Sequence, residues 1–303
     1  MIKILKYKEV ENKEIFARAD IKTNVEDIVF EIIENVKNNG DKALFEYCER
    51  FDGARLSSFA VSADEIENAV KTVDEKFINI LKKAASNIRK FHQKQVRTSF
   101  IINDENGIVT GQKIIPVDCA GLYVPGGTAA YPSTVLMDAI PAKIAGVKKI
   151  VMVTPPRPDG SVNPVILAAA HIAGVDKIYK VGGAQAIAAL AYGTESIPKA
   201  DKIVGPGNVF VAEAKKQVFG LVSIDMVAGP SEILIVADQT VNPKYAAADL
   251  LSQAEHDKMA SAVLVTTSKE LAEAVQKEIE IQIQRLERAE IARASIDGNG
   301  KII

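Results

Sequence analysis

The sequence predicts an α/β fold of two Rossmann-like domains, each with a parallel sheet flanked by helices, and an N-terminal region that is mostly helical. Three similar strand openings favour this class, because Lys-Ile followed by Val or Tyr recurs at Lys149, Lys177 and Lys202. The openings lie 28 and 25 residues apart, which is near the length of one β-α-β unit. Ala-rich stretches of helical composition separate them. Strands and helices therefore alternate, as a parallel sheet requires.

The composition is that of an ordinary globular protein, with 303 residues of which 48% are hydrophobic and 25% are charged. The formal net charge of -2 gives no electrostatic reason to bind nucleic acid or a membrane surface. Residues 1–20 mix Lys and Glu without an apolar core of signal-peptide length, and no apolar run is long enough to span a bilayer. The two cysteines make no disulfide framework. We therefore expect a cytoplasmic protein.

The N-terminal third is predicted to be mostly helical and to carry no obvious chemistry. Residues 24–52 show an apolar stripe at helical spacing, and Asn39-Gly40-Asp41 interrupts it so that Asp41 can cap a second helix. Ser62 to Glu65 matches a capping box, which starts a further helix that reaches about His92. The predicted stripe consists of Ile28, Phe30, Ile32, Ile33 and Val36.

Glycine turns end two of the three central strands. The second strand runs into Gly182-Gly183 and the third into Gly205-Pro206-Gly207-Asn208, whereas the first ends in a polar loop over 155–160. A chain reversal at such turns is what a β-α-β unit needs at the end of each strand.

The C-terminal part repeats the pattern of the centre. A strand over 232–237 precedes a helix that begins near Pro243, and a strand over 262–266 precedes a helix from Ser268 to about Glu290. We expect two domains. One covers 123–228, and the other is discontinuous, joining 1–122 with 229–303.

The two glycine turns are candidates for a dinucleotide site, since the pyrophosphate of such cofactors binds where a glycine turn enters a helix. Neither turn completes the G-x-G-x-x-G pattern, and Phe210 occupies the last position of the second one. The pattern is equally compatible with turns that need glycine for their backbone conformation alone.

Gln253 and His256 are three residues apart and share a face if their segment is helical. Imidazole is a common zinc ligand and a Gln carbonyl is an unusual one. A single His at a helix end is more often a cap or a surface residue than a ligand. The other two histidines, His92 and His171, lie in amphipathic or Ala-rich helical stretches and read as structural or solvent-facing. Histidines alone therefore cannot form a zinc site here.

Two segments of the C-terminal half carry a more specific pattern. They are Ile224-Asp225-Met226-Val227-Ala228-Gly229-Pro230-Ser231-Glu232 and Leu250-Leu251-Ser252-Gln253-Ala254-Glu255-His256, with a strand, Asp238 and a helix in order between them. This pattern resembles the signature of the histidinol dehydrogenase family, and the resemblance extends over essentially the whole chain. It implies an enzyme of histidine biosynthesis that oxidises L-histidinol to L-histidine through histidinaldehyde, in two NAD-dependent steps and with a bound zinc.

The resemblance also implies site residues. Tyr123 in Gly121–Gly127, Gln185 after Gly182-Gly183, and Asn208 match the family positions that contact NAD. Gln253 and His256 match two zinc ligands on the substrate side, and Ser231 matches a substrate contact.

The family's Glu–His acid/base pair and its remaining zinc ligands are expected beyond Ile303, one of them supplied by the partner subunit of a homodimer. The resemblance therefore assigns no catalytic residue within this sequence. It predicts that the 303-residue polypeptide alone binds zinc weakly, does not turn over histidinol, and forms a weaker or different dimer.

Two alternatives remain open from the residues. Cys119 near the glycine-rich loop would allow an aldehyde-dehydrogenase-like enzyme that works through a thiohemiacetal, although a small buried residue in a turn explains a cysteine there as well. Activity that survives zinc chelation but not thiol alkylation would favour it. The second alternative is a catalytically dead binding module, which would bind NAD without turnover.

Overall fold

The computed structural model of the protein describes residues 1–17, 25–126, 131–227, 229 and 231–303. In chain order the strands are β1 (Lys3–Ile4), β2 (Phe100–Asn103), β3 (Val109–Gln112), β4 (Cys119–Tyr123), β5 (Lys149–Thr154), β6 (Lys177–Lys180), β7 (Lys202–Val204), β8 (Ser223–Ile224), β9 (Glu232–Ala237), β10 (Ser261–Thr266) and β11 (Lys301–Ile302). The helices are α1 (Asn12–Ile15), α2 (Glu26–Tyr47), α3 (Ala63–Thr72), α4 (Glu75–His92), α5 (Pro132–Ile144), α6 (Pro164–Ala173), α7 (Gly183–Tyr192), α8 (Val209–Val218), α9 (Pro243–Ala254), α10 (Lys269–Gln282) and α11 (Ala289–Gly298).

The chain forms two compact units. Met1–Lys22 with Ala228–Ile303 make the first unit, and Thr23–Val227 make the second. This differs from the predicted boundaries, which joined 1–122 to the C-terminal domain. Helices α2 to α4 instead belong with the central sheet, because the apolar side of α2 packs on α7 and α8 while α3 and α4 pack on α6 and α5. Burial of these long stripes decides the boundary.

The second unit is built on a five-stranded parallel sheet of order β6-β5-β4-β7-β8. Successive side chains of β5 point to opposite faces, and both faces are buried. Ile150 and Met152 pack in one core with α3 to α6, while Val151 and Val153 pack in the other with α2, α7 and α8. From β4 the chain adds β5 and then β6 on one side of the sheet, and β7 then pairs with β4 on the other side. This is the Rossmann strand order, so the predicted parallel sheet is confirmed.

The break in the first long helix is confirmed and its cause is local. Gly40 leaves the helical region with φ 52° and ψ −132°. Asp41, however, does not cap a second helix, which corrects the prediction. Its carboxylate accepts hydrogen bonds from the backbone N–H and the hydroxyl of Ser196, and its own N–H donates to Glu195. Side chains after α7 therefore hold the kink.

The buried face of α2 also differs in detail from the predicted stripe. Val29, Ile32, Ile33 and Val36 are buried, whereas Ile28 and Phe30 are 48% and 59% exposed. A stripe of period 3.6 admits more than one rotation of the helix, and packing on α7 selects one of them.

The capping box at Ser62 is confirmed. The Ser62 hydroxyl accepts a hydrogen bond from the Glu65 N–H, and the Glu65 carboxylate accepts one from the Ser62 N–H. The predicted helix to His92 is divided, because Val73 is extended and Asp74 precedes α4.

The first unit contains a four-stranded parallel sheet of order β1-β11-β10-β9. Helix α9 begins with Pro243 and joins β9 to β10, and Ser268 caps α10, so the predicted β-α-β pattern is confirmed. The predicted helix to Glu290 ends earlier, because Leu286 is extended before α11. Among the described residues, no helix is both long and apolar enough to cross a membrane.

An ion pair between a buried lysine and a partly exposed aspartate holds the loop after β7. Lys215 is 2% exposed and pairs with Asp225. Both side chains hydrogen-bond the backbone of Gly205, and we call this arrangement the clamp. Lys215 donates to the Gly205 carbonyl at 3.0 Å, and the Gly205 N–H donates to Asp225 at 2.9 Å. The Asp138 carboxylate lies beside them, with its Oδ2 buried and without a hydrogen-bond partner. The Lys215 cation therefore lies near two carboxylates, those of Asp225 and Asp138.

Burial, and next the negative charge of Asp225, raise the pKa of Asp138 to about 7. A carboxyl whose pKa is higher in the folded than in the unfolded chain gains a proton on folding between those two values. Its contribution to the free energy of unfolding therefore decreases as the pH rises from about 4 through 7.

We predict that Asp138→Asn stabilises the protein by about 1–3 kcal/mol at pH 8, because the amide has nearly the same shape as the carboxylate and carries no charge. The gain should shrink as the pH is lowered to 5, where Asp138 is protonated. Chemical denaturation of both proteins at pH 5 and 8 measures it, with the exposed Asp249→Asn as control. A gain that is independent of pH would contradict the assignment of charge to Asp138.

Candidate functional site

A cavity of about 830 Å³ opens at the carboxyl ends of the central strands. The ends of β4 and β5, the first turn of α7 and the start of α8 line it on the sheet side. The first two turns of α2, its last residue Tyr47 and the turn that follows it form a further wall. The described residues that line the cavity include Glu31, Phe51, Asp52, Tyr123, Pro155, Arg157, Pro158, Gly183, Gln185 and Asn208.

Tyr123 is the last residue of β4 and is 4% exposed. Its hydroxyl accepts a hydrogen bond from the Gly183 N–H at 3.1 Å. Burial raises the pKa of Tyr123 to about 12, so the phenol keeps its proton. That proton remains available to a ligand in the cavity, because the bond with Gly183 uses the oxygen only as an acceptor.

Glycine is required at two places around this tyrosine. Gly205 has φ 117°, and a Cβ there would collide with the Tyr123 carbonyl oxygen. Gly183 has φ 65°, and a Cβ there would lie 2.5 Å from the Gln185 Oε1. The two glycine turns noted in the sequence therefore both serve to bring the backbone close to neighbouring groups.

Gln185 lies in the first turn of α7 and is 2% exposed. Its side chain folds back over Gly183, at the edge of the cavity. The N-cap of α7 is Gly182, which has no side chain to satisfy the first N–H groups. The Gly183 N–H reaches Tyr123, and those of the next residues face no partner within the helix. This end of α7 suits an anion.

Asn208 has a structural role that the sequence does not distinguish from ligand binding. Its Oδ1 accepts hydrogen bonds from the N–H groups of Phe210 and Val211, both at 3.1 Å, and so caps α8. The side-chain amide N–H₂ of Asn208 takes no part in this cap, and Asn208 lines the cavity. The structure thus brings Tyr123, Gln185 and Asn208 together around one cavity.

The sequence reasoning missed the wall formed by the N-terminal region. After α2 the chain makes a π-helical turn, Cys48–Asp52, that ends at Gly53 with φ 68°. Phe51 is stacked on Tyr47 with ring centroids 5.4 Å apart. Such turns insert one residue per turn and redirect side chains, and they are frequent at functional sites. The sequence does contain a local signal for this turn, namely Phe51-Asp52-Gly53 at a helix end, because a glycine in the left-handed conformation commonly ends a helix.

Asp52 is the most unusual group of this wall. Its Oδ2 is buried without a hydrogen-bond partner. Burial raises the pKa of Asp52 to about 6, and a hydrogen bond with Cys48 offsets only part of the shift. The carboxyl is thus ionised near neutral pH and has one acceptor oxygen that no protein group satisfies.

The residues predicted for the substrate and zinc side lie in the other unit. Gln253 is at the end of α9, His256 is exposed in the loop that follows, and Ser231 directly precedes β9. Because β9 and β10 are parallel and α9 joins them, the end of α9 and the start of β9 lie at the same edge of the sheet. The Ser261 N–H, at the start of β10, donates to the Ser231 carbonyl at this edge. Ala228 and Pro230 of the motif, and Gly127 of the glycine-rich loop, lie outside the described residues.

Within the described ranges, no group of three or more His, Cys, Asp and Glu side chains could hold a metal ion. Gln253 and His256 offer two donors, whereas a protein zinc site has three or four protein ligands. These two residues by themselves do not make up a zinc site.

Cys119 lies at the opposite end of β4 from the cavity and does not line it. This corrects the expectation that it sits beside the glycine-rich loop. Burial raises the pKa of its thiol, which disfavours the thiolate that a nucleophile needs. The geometry therefore weakens the aldehyde-dehydrogenase-like alternative.

Comparisons with known proteins agree with one another. The family model described as histidinol dehydrogenase matches residues 17–303. The chain is similar to histidinol dehydrogenase from Clostridium acetobutylicum, with 61% identity over 90% of this chain and 63% of the relative. It is similar to the protein of that name from Listeria monocytogenes, with 57% identity over 92% of this chain and 65% of the relative. The chain thus spans about two thirds of the length of these relatives.

A solved structure gives the same result. The crystal structure of histidinol dehydrogenase from Elizabethkingia anophelis matches with a TM-score of 0.94 and 42% identity, over 100% of this chain and 70% of that chain. Both the sequence and the fold place the protein in one group. This chain belongs to the histidinol dehydrogenase family.

Proposed function

We propose that the protein takes part in the NAD-dependent oxidation of L-histidinol to L-histidine, and that the cavity of the second unit is its NAD site. The observation that carries the cofactor assignment is the convergence of Tyr123, Gln185 and Asn208 on this one cavity. Its position supports the same conclusion, because open α/β sheets bind dinucleotides at the carboxyl ends of the strands where the strand order reverses.

The chemistry of the lining suits a dinucleotide. The start of α7 offers backbone N–H groups and a positive dipole end to a pyrophosphate. Phe51 and the prolines Pro155 and Pro158 offer apolar surface to a flat base. The Tyr123 hydroxyl and the amide groups of Gln185 and Asn208 can hydrogen-bond the polar groups of the ligand.

When bound, NAD supplies the hydride acceptor of the reaction. The part of this chain is to hold the cofactor in one orientation and to keep water from it. Buried Tyr123 and Gln185 are fixed by packing, so little ordering is needed on binding. Tyr123 remains protonated up to a pH of about 12 and acts as a hydrogen-bond donor throughout the physiological range.

We place the substrate side of the proposal at the edge of the first unit that bears Ser231, Gln253 and His256. These types of side chain can bind the imidazole, amine and hydroxyl of histidinol, and Gln253 with His256 would supply part of a zinc ligand set. The resemblance supports a homodimer as well. Two unpaired cysteines, both buried, support a reducing compartment such as the cytoplasm.

We predict that Asn208→Ser weakens NAD binding by about tenfold, because it removes the amide donor. The serine hydroxyl can still cap α8, so the free energy of unfolding should change by less than about 0.5 kcal/mol. Calorimetric titration with NAD and chemical denaturation measure the two quantities. Gln217→Ala, on the same helix but outside the cavity, is the control. Unchanged NAD affinity in Asn208→Ser would remove this residue from the site.

A chimera tests the substrate side. The matching two thirds of the Clostridium acetobutylicum relative are replaced by this chain, and histidinol-dependent NADH formation is followed by absorbance. We expect activity, and we expect His256→Ala to reduce it about 100-fold or more while NAD affinity is kept. His171→Ala, an exposed histidine on α6, should behave as the parent. Equal losses in both variants, or an inactive chimera that binds NAD, would contradict the assignment.

A further inference from the structure

The end of the second strand is the position at which Rossmann sheets discriminate between dinucleotides. A carboxylate there accepts a hydrogen bond from the adenosine 2′-hydroxyl of NAD, whereas a nearby arginine accommodates the 2′-phosphate of NADP. In this sheet β4 is the first strand and β5 the second. Strand β5 continues into Pro155-Pro156-Arg157, which contains no acid. The next acid, Asp159, does not line the cavity and its Oδ1 already binds Ser161. By this rule alone the loop would suit NADP.

A carboxylate reaches the same place from outside the sheet. Asp52 ends the π-helical turn and lines the cavity together with Arg157. The residue after it, Gly53, lies against the loop that follows β5, since a Cβ on Gly53 would be 4.0 Å from the Pro158 Cβ. Asp52 is also close enough to Tyr123, at the end of the first strand, to raise the pKa of that phenol. It therefore stands between the ends of the first and second strands.

One oxygen of the Asp52 carboxylate lacks a hydrogen-bond donor. Its Oδ2 is buried and has no donor from the protein, and a buried acceptor in that state is costly. A ribose hydroxyl can donate a hydrogen bond to this oxygen. A phosphate at neutral pH has no proton to donate in its dianionic form, and it would face the carboxylate with like charge.

We propose that Asp52 makes the cavity select a dinucleotide with a free adenosine 2′-hydroxyl over one with a 2′-phosphate, taking the place of the acid that β5 does not provide. This inference rests on the proposed function of the cavity as a dinucleotide site. Arg157 is the residue that Asp52 counteracts, because its cation lines the same cavity and would otherwise attract the 2′-phosphate.

Calorimetric titrations of the 303-residue chain with NAD and NADP test the proposal. The parent should bind NAD more tightly than NADP. Asp52→Asn should reduce the ratio of the two affinities by about tenfold or more, mainly by tightening NADP, because the amide keeps an acceptor for the hydroxyl and removes the charge. Arg157→Gln in the Asp52→Asn background should abolish the gain for NADP. Glu46→Gln removes one exposed acid from α2 outside the cavity and should leave the ratio unchanged.

The outcomes separate the inference from the proposed function. A parent that binds neither dinucleotide overturns the proposed NAD site and the inference with it. A parent that binds NAD and NADP equally well, or an Asp52→Asn protein whose ratio is unchanged, overturns the inference alone. The same holds if Glu31→Gln, rather than Asp52→Asn, shifts the ratio, since Glu31 is the other acid among the described residues that line the cavity. Thermal unfolding of Asp52→Asn verifies folding, and it should be no less stable than the parent because a buried charge is removed.

Discussion

The clamp that Lys215 and Asp225 form on Gly205 is the interaction on which the cavity of the second unit depends. It fixes one peptide unit from both sides, through the carbonyl and through the N–H. Gly205 in turn contacts the carbonyl of Tyr123 so closely that no Cβ fits. The end of β4 and the loop after β7 are thereby locked together at the point where the strand order reverses. An ion pair with one buried partner contributes little net stability compared with apolar packing, but here both charged groups also hydrogen-bond Gly205 and so hold it in one position.

Among the described residues, the buried side-chain oxygens without a hydrogen-bond partner lie close to this clamp or in the cavity beside it. The Asp138 and Asp52 carboxylates each have a buried oxygen without a partner, and burial raises the pKa of both. A fold selected only for stability would replace them by apolar residues. We infer from their locations that they have different roles. Asp138 belongs to the charged groups around Gly205, whereas Asp52 and the amide N–H₂ of Asn208 are available to a ligand in the cavity.

The residues that the family resemblance points to lie at opposite edges of the sheets in the two units. In the second unit the residues that resemble the family's cofactor contacts lie at the carboxyl ends of the strands, as is usual for such sheets. In the first unit Ser231 directly precedes β9, Gln253 lies at the end of α9 and His256 follows it, so these residues lie at the amino ends of β9 and β10. The resemblance to the family, not the fold rule, is what points to this second edge.

The sequence alone determined the parallel sheets, the break at Gly40, the capping box at Ser62 and the family. It also determined the bounds of β5, β6, β7, β9 and β10 to within a residue or two, but not those of the short strands β1, β2, β3, β8 and β11. The features that it determined follow from local signals, namely hydrophobic period, glycine turns and caps, and from motifs contiguous in the chain. Tertiary structure decided the rest. It assigned helices α2 to α4 to the central sheet, exposed Ile28 and Phe30, directed Asp41 to Ser196, and removed Cys119 from the cavity. It also brought Asp52 to residues more than 70 positions away in the chain, at the end of β4 and beyond. No local pattern encodes such contacts, because they depend on which of several possible helix faces packs best against the sheet.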